Sequence, residues 1–392
     1  MSEPATSTIT VEACHSLSDI PRETWERLAG TDNPFLRYEF FEALENARCT
    51  REETGWKPCH LVFRLAGEIA GVAPAYLKSH SMGEYVFDWA WADAYQRYGL
   101  DYYPKLLIAV PFTPSQGPRL LFDSQLRDAL DARAVHDLLD TLIARLGAHS
   151  WHLLFPNAED QRLLHHEEQL HRIGCQFHWH NRGYGCFDDF LGELTSRKRK
   201  SIRKERRQVA EQGITFTRFH GRDIPGHVLA AFYVFYQATY LKRGQRPYLT
   251  QPFFEQIREK LPDHLHIVMA IKDGEMIASA LFLSGGNTLY GRYWGCLEEY
   301  NHLHFETCYY QGIELAIERS LQTFDAGAQG EHKLVRGFEP VLTHSWHGIA
   351  HPAFHDAIDV FTREEAEQVL GYYEDAKTAL PFRQNDQQND GA

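Results

Sequence analysis

His304 and Glu306 sit at the start of a predicted helix, with Asn301 and His302 just upstream. Imidazole and carboxylate groups are the usual proton carriers near neutral pH, so this cluster suits acid–base chemistry. Further along, Gln329, Glu331, His332, Lys333 and Arg336 follow Gly327 and Gly330. There the lysine and arginine suit a phosphate or carboxylate. The chain also has 22 histidines, which raises the question of a metal. His302 with His304, His178 with His180 and His351 with His355 each bring two imidazoles close together, the last pair only in a helix that Pro352 disfavours. None has a clear third ligand, so no metal is expected. No G-x-S-x-G elbow and no P-loop occurs, which removes hydrolase and nucleotide-kinase chemistry based on those motifs.

The elements that position these groups lie in the stretch Leu289 to Phe338, which reads as strand, polar elbow, helix, strand and Gly-rich loop. Leu289, Tyr290, Tyr293 and Trp294 suit a buried strand, and Gly291 and Gly295 mark a bulge or a close backbone approach. Phe305, Cys308, Tyr309, Gly312, Ile313, Ala316 and Ile317 form a full helical stripe. Thr323 to Ala326 reads as the next strand. Polar groups from both connections should therefore converge at one end of a sheet.

With 392 residues and 43% hydrophobic content, the chain is long enough for two cores. Its start, MSEPATSTIT, lacks the basic and apolar pattern of a signal, and no apolar run is long enough to span a bilayer. A cytoplasmic location without membrane insertion is expected. Seven cysteines with no C-x-x-C pair argue against a disulfide framework. A formal charge of -13 disfavours DNA and broad RNA binding. Against that average, residues 197–207, RKRKSIRKERR, carry eight basic residues in eleven, either a solvated helix face or an anion-binding one.

In chain order, a strand near Ile9 and Val11 precedes a helix start at Pro21, and Asn33 and Pro34 cap a helix buried through Leu36, Phe40, Phe41 and Leu44. His60–Leu65 and Ile69–Leu77 predict a hairpin, with Tyr85–Trp91 as a third strand. This meander can be laid over residues 266–296, with His60 on His266, Gly67 on Gly274, Glu68 on Glu275 and Trp89 on Trp294. After an insertion from about 92 to 124, a helix over 126–146 and a strand at 151–155 follow the first copy, as 305–320 and 323–326 follow the second. Tandem related domains are the reading. Their boundary is expected in NRGYGCFDD, at 181–189. Beyond it come a helix from Ser196 to Glu211, a strand from Ile214, helices from Pro225 and Pro252, a strand at 343–349 and a terminal helix at 363–379.

The second half, with its basic RKRKSIRKERRQVAEQGITF, helix pair, meander and YYQGIELAIERSLQTFDAGAQGEHKLVRGF, resembles the Fem-type branch of the acetyltransferase (GNAT) superfamily. Through NPFLRYEFFEALE, FDWAWADAYQRYGLDYYPKL, VPFTPSQGPRLL and GAQGEHKLVRGF, nearly the whole chain is similar to a bacterial FemAB-like family of predicted N-acyltransferases, linked by name to peptidoglycan biosynthesis. The resemblance implies a mixed α/β fold of two tandem GNAT-like domains, 1–185 and 186–382, the second with the reaction centre, and a disordered tail at 383–392. It implies transfer of an acyl group from acyl-CoA, as co-substrate, to a primary amine of a small-molecule, peptide or cell-wall-related acceptor. One alternative is a Fem-type aminoacyl-tRNA-dependent transferase. Another is a non-catalytic module that binds a peptide or glycan precursor.

For that chemistry Glu306 or His304 would take the amine proton and Tyr293 would protonate the leaving group. Arg292, Trp294, Gln329, Glu331, His332, Lys333 and Arg336 would hold donor or acceptor. Trp89, Asp93, Tyr95 and Arg119 would add an aromatic and acidic wall in the first domain. Arg199, Arg203 and Arg206 would bind an anion or RNA. The sequence departs from the superfamily where a Gly-rich pyrophosphate loop is expected. It has LEEYNHLHFET there, and Glu298 and Glu299 disfavour an anion at that helix start.

Overall fold

Two β-hairpins close on the same turn. Ala66 and Gly67 have φ of 51° and 92°, and Asp273 and Gly274 have φ of 52° and 82°. Positive φ at both central residues is the geometry that matches the twist of paired strands. Each hairpin also has one register shift, at Phe63/Arg64 and at Ala270/Ile271. The computed structural model describes residues 8–166, 169–328 and 330–383. Its contacts group into two units, one hairpin in each. The first holds the described residues of Met1–Gly174, Tyr248–Lys260 and Leu342–Leu370; the second holds those of Cys175–Pro247, Leu261–Val341 and Gly371–Ala392. The expected disordered tail lies outside the described residues except for Arg383.

In the first unit β1 (Ile9–Cys14) pairs with β2 (His60–Leu65), which pairs with β3 (Glu68–Ala73). Helix α1 (Arg22–Ala29) starts after Pro21, and α2 (Tyr38–Asn46) buries Phe40, Phe41 and Leu44. Pro74 separates β3 from β4 (Ala75–Lys78), because proline has no N–H for the ladder. The expected third strand at 85–91 is corrected. Trp89–Arg97 is a helix, α3, whose Trp91 and Tyr95 are buried four residues apart on one face. Aromatic enrichment suggested a strand, but the alanines at 90, 92 and 94 favour the helix. The third strand is instead β5 (Lys105–Ile108), inside the expected insertion, antiparallel to β4.

The expected helix 126–146 is two, α4 (Ser124–Ala129) and α5 (Ala132–Leu146), since Asp131 accepts from the N–H of Ala134 at 2.8 Å and starts a new cap. Strand β6 (Ser150–Leu154) then pairs parallel with β5.

The second unit repeats this plan. Helix α6 (Ser196–Glu211), β7 (Ile214–His220) and α7 (Gly226–Leu241) precede the hairpin of β8 (Leu265–Lys272) and β9 (Glu275–Gly285). Strand β10 (Thr288–Cys296) is antiparallel to β9, and β11 (Thr323–Asp325) lies parallel to β10. The sheet order is β7-β8-β9-β10-β11. Hairpin, third strand, helix and parallel strand therefore recur in both units.

Both units bury neutral histidines. Burial pushes His152 to about 3, His266 to about 2 and His136 and His171 to about 4, and it holds His347 well below the usual imidazole value. When the chain unfolds, each imidazole takes up a proton near its ordinary pKa of ~6.5 that the folded form excludes. Their contribution is thus full above that pH and declines as pH falls towards the depressed values. The denaturation midpoint is expected to drop steadily between pH 6.5 and 4. A midpoint that stays level over this range would rule out neutral burial.

Candidate functional site

Strands β10 and β11 run parallel, so the connections leaving them emerge at the same end. Helix α7 seats tightly on β10 because Gly295 has no side chain: a Cβ there would stand 1.9 Å from the carbonyl oxygen of Phe235. Thr239 Oγ1 also donates to the carbonyl of Trp294 at 2.8 Å. The register between β9 and β10 shifts at Leu281/Phe282, which pair with Tyr293 and Gly291 and leave Arg292 as the extra residue of a bulge. Its guanidinium reaches Asp325 at the end of β11, with Nη2 at 2.8 Å from Oδ2 and both side chains 2% exposed. This cation outweighs burial and holds the Asp325 carboxyl well below the usual carboxylate range.

The helical segment after β10 is not one regular helix. Leu303–Phe305 begins as α-helix, Glu306–Tyr310 widens to a π turn, and α8 (Gln311–Glu318) resumes. Such widened turns recur at functional sites. At the wide turn Glu306 is buried and accepts from Arg206 of α6, from Nε to Oε2 at 3.1 Å and from Nη2 to Oε1 at 3.0 Å, and from Gln311 Nε2 at 2.8 Å. Two residues upstream, the His304 ring packs on Trp294 with centroids 5.2 Å apart and on Tyr309 at 5.4 Å. Together with Thr239, Lys242, Arg243, Trp294 and Tyr300 it lines a cavity of about 440 Å³. Burial, then the charges of Arg336 and Lys333 and the neighbouring His332, push His304 down to about 4. It is a neutral imidazole at pH 7.

The connection after β11 folds as a short 3₁₀ helix, Glu331–Arg336. Lys333 Nζ donates to the carbonyls of Ala326 at 2.9 Å and Gly327 at 2.6 Å, and burial pushes the ammonium down to about 8 against the pull of Asp325. His332 Nε2 lies 2.8 Å from Tyr309 Oη. Arg336 stacks 3.5 Å over the Phe305 ring and donates to Tyr310 Oη at 3.0 Å and Glu205 at 2.9 Å.

Of the residues singled out from sequence, His304 and Trp294 meet at the cavity, with His332 beside His304. Arg292, Lys333 and Arg336 do not line it: Arg292 pairs with Asp325, Lys333 donates to the Ala326 and Gly327 carbonyls and Arg336 pairs with Glu205. Glu306 is held by Arg206 rather than open to the cavity. Tyr293 meets Tyr236 of α7 edge to face, on the opposite face of β10 from Trp294 by strand alternation. Glu331 is exposed and accepts from Tyr372 Oη at 3.3 Å, and Gln329 lies outside the described residues.

The aromatic and acidic wall of the first unit does not form. Trp89 is 47% exposed, Asp93 pairs with Arg97, Tyr95 is buried against Phe354, and Arg119 donates to the carbonyls of Leu154, Pro118 and Ser115. On α6, Arg199 turns back to Ser196, Arg203 pairs with Asp188, and Arg206 points inward to Glu306 and Glu314. Sequence reasoning missed Thr239, Lys242, Arg243, Tyr300 and Asp325. The signal for two of them was the basic LKRG that ends α7, read only as a polar turn. Among the described residues no group of three or more His, Cys, Asp or Glu is placed for a metal, and no helix is long and apolar enough to cross a membrane.

A hairpin, a third strand, a helix and a parallel strand, present twice, define a tandem protein of the acetyltransferase fold, with the candidate cavity in the second copy. The chain belongs to the FemAB-like family, described as peptidoglycan biosynthesis/recognition, whose model matches residues 16–384. The crystal structure of FemX is similar in fold, with a TM-score of 0.50 and 12% identity over 89% of this chain and 100% of that one. L-PGS from Bacillus licheniformis gives a TM-score of 0.49 and 10% identity over 83% of this chain and 95% of that one. A tandem GNAT protein from the clavulanic acid biosynthesis pathway gives 0.47 and 11% over 88% and 99%. No curated protein matches the sequence significantly.

Proposed function

We propose that the cavity beside Trp294 in the second unit is where an acyl group passes from a donor to the primary amine of a small or cell-wall-related acceptor. The observation that carries this reading is the neutral His304 on the cavity wall. Amide formation needs a free amine, and an uncharged imidazole accepts the proton lost as nitrogen attacks the carbonyl. Glu306 is poorly suited to that task, because Arg206 and Gln311 already occupy both of its oxygens. Lys242 and Arg243 at the cavity mouth suit the anionic part of a donor. The donor in this reading is an acyl-CoA.

A second reading, an aminoacyl ester of tRNA, is favoured by one observation. Leu297, Glu298 and Glu299 are exposed where a Gly-rich loop would cradle pyrophosphate, and their carboxylates repel it. Thermal-shift and native-mass titrations with acetyl-CoA, longer acyl-CoAs, CoA and charged tRNA separate the two. One-to-one binding of a CoA ester with a raised melting temperature is expected, since a ligand of the folded state stabilises it by mass action. A response to charged tRNA and none to millimolar CoA esters would transfer the reading to the ester donor.

A further inference from the structure

The segment from Ser79 to Asp88, between β4 and α3, is built inside out. Ser81, Glu84 and Asp88 are 2%, 5% and 2% exposed, whereas Met82, Phe87 and Trp89 stand at 43%, 53% and 47%. Buried charge beneath exposed apolar side chains reverses the usual order and calls for a reason. Tyr85 has a φ of 64°, an unfavourable value for an aromatic residue.

Beneath this strap lie Lys78 and Lys105, direct partners across β4 and β5 and both fully buried. Like charges facing each other on adjacent strands repel. Lys105 Nζ donates to Ser81 Oγ at 2.8 Å, to Glu84 Oε2 at 2.7 Å and to Asp88. Lys78 Nζ donates to the Met82 carbonyl at 3.3 Å, lies 3.4 Å from His80 Nδ1 and 3.7 Å from Glu84 Oε1, and sits 3.7 Å over the Trp56 ring. The Tyr102 and Tyr103 rings flank Lys105 at 5.4 and 5.8 Å, and their hydroxyls bond Asp88 and Ser81. Glu84 Oε1 and Asp88 Oδ1 are buried with no hydrogen-bond partner. The strap thus pairs with both lysines but satisfies its own carboxylates incompletely, at a cost that an unconstrained ligand would avoid.

We infer that Lys78 and Lys105 form an anion site of the first unit, held closed by the protein's own Glu84 and Asp88, which a small dicarboxylate takes over as the strap lifts. Two carboxylates are needed because the strap supplies two, and a monoanion would leave one ion pair unreplaced. Trp56, Tyr102 and Tyr103 provide apolar walls for the carbon spacer between them. Release lets Glu84 and Asp88 reach water and lets Met82 and Phe87 turn inward.

The test is hydrogen exchange across residues 79–88 of the full chain, with malonate, succinate, glutarate and adipate as probes and acetate and phosphate as comparators. One or more dicarboxylates should raise strap exchange saturably and also raise the melting temperature. Glu84→Gln keeps both lysines and weakens the internal competitor, so it should tighten that response by about tenfold, as expected when a larger fraction is open. Lys78→Met, if its denaturation profile remains cooperative, should abolish it. The inference is overturned if no dicarboxylate changes strap exchange in either the parent or Glu84→Gln, or if acetate or phosphate does so equally.

Discussion

Arg292→Met is expected to lower the free energy of unfolding by about 3–5 kcal/mol, the usual cost of stranding one member of a buried ion pair. The guanidinium is the cation that makes a buried Asp325 tolerable, and both side chains are shielded from water. Because the folded form holds the Asp325 proton affinity well down, this pair contributes its stability above the ordinary carboxylate range and loses it as pH falls below about 4. The double variant Arg292→Met/Asp325→Leu should recover much of the loss, since neither charge is then left unpaired. Guanidinium titrations of the two variants decide the matter. A single variant within 1 kcal/mol of the parent would mean that water or another group already serves Asp325. The pair ties the bulge of β10 to the end of β11.

The second large effect concerns turnover. His304→Ala is expected to lower kcat by roughly 10²–10⁴-fold, the range for removing a positioned general base, with donor binding largely preserved. Because His304 titrates at about 4, the limb of the pH profile assigned to it should lie there rather than near 6.5, once the acceptor's own titration is allowed for. That limb should vanish in the variant. An unchanged kcat would leave His304 as a wall residue only and would favour a recognition module that binds precursor without reacting.

Much of this arrangement was legible before any coordinates, and the failures have physical causes. The helical stripe from Phe305 to Ile317 and the demand for glycine at 295 were clear because each reflects one local constraint, periodicity or steric room. The strand expected at 85–91 failed because alternating aromatics outweighed helix-forming alanines, while the real strand, β5, is a short apolar run hidden after Pro104. The sequence places Arg206 on a basic face, solvated or anion-binding, whereas it pairs inward with Glu306 and Glu314. The only buried apolar residues of α6 are Ile202 and Val209, and their seven-residue spacing already set Glu205 and Arg206 on the inward side. The π turn has no comparable signature, and the partner of its Glu306, Arg206, lies a hundred positions away in the chain.

That wide turn divides the segment into two lengths, Leu303–Phe305 before it and Gln311–Glu318 after it. Downstream, the choice of residues at Gln311–Glu318 answers to the core, where Ile313, Ala316 and Ile317 are buried. Upstream, Leu303 is buried in a second apolar cluster with Val209, Ile214 and Ala270, while His304 faces the cavity. One short segment therefore does two jobs: beyond the wide turn it is fixed by packing, and before it His304 is presented to the cavity.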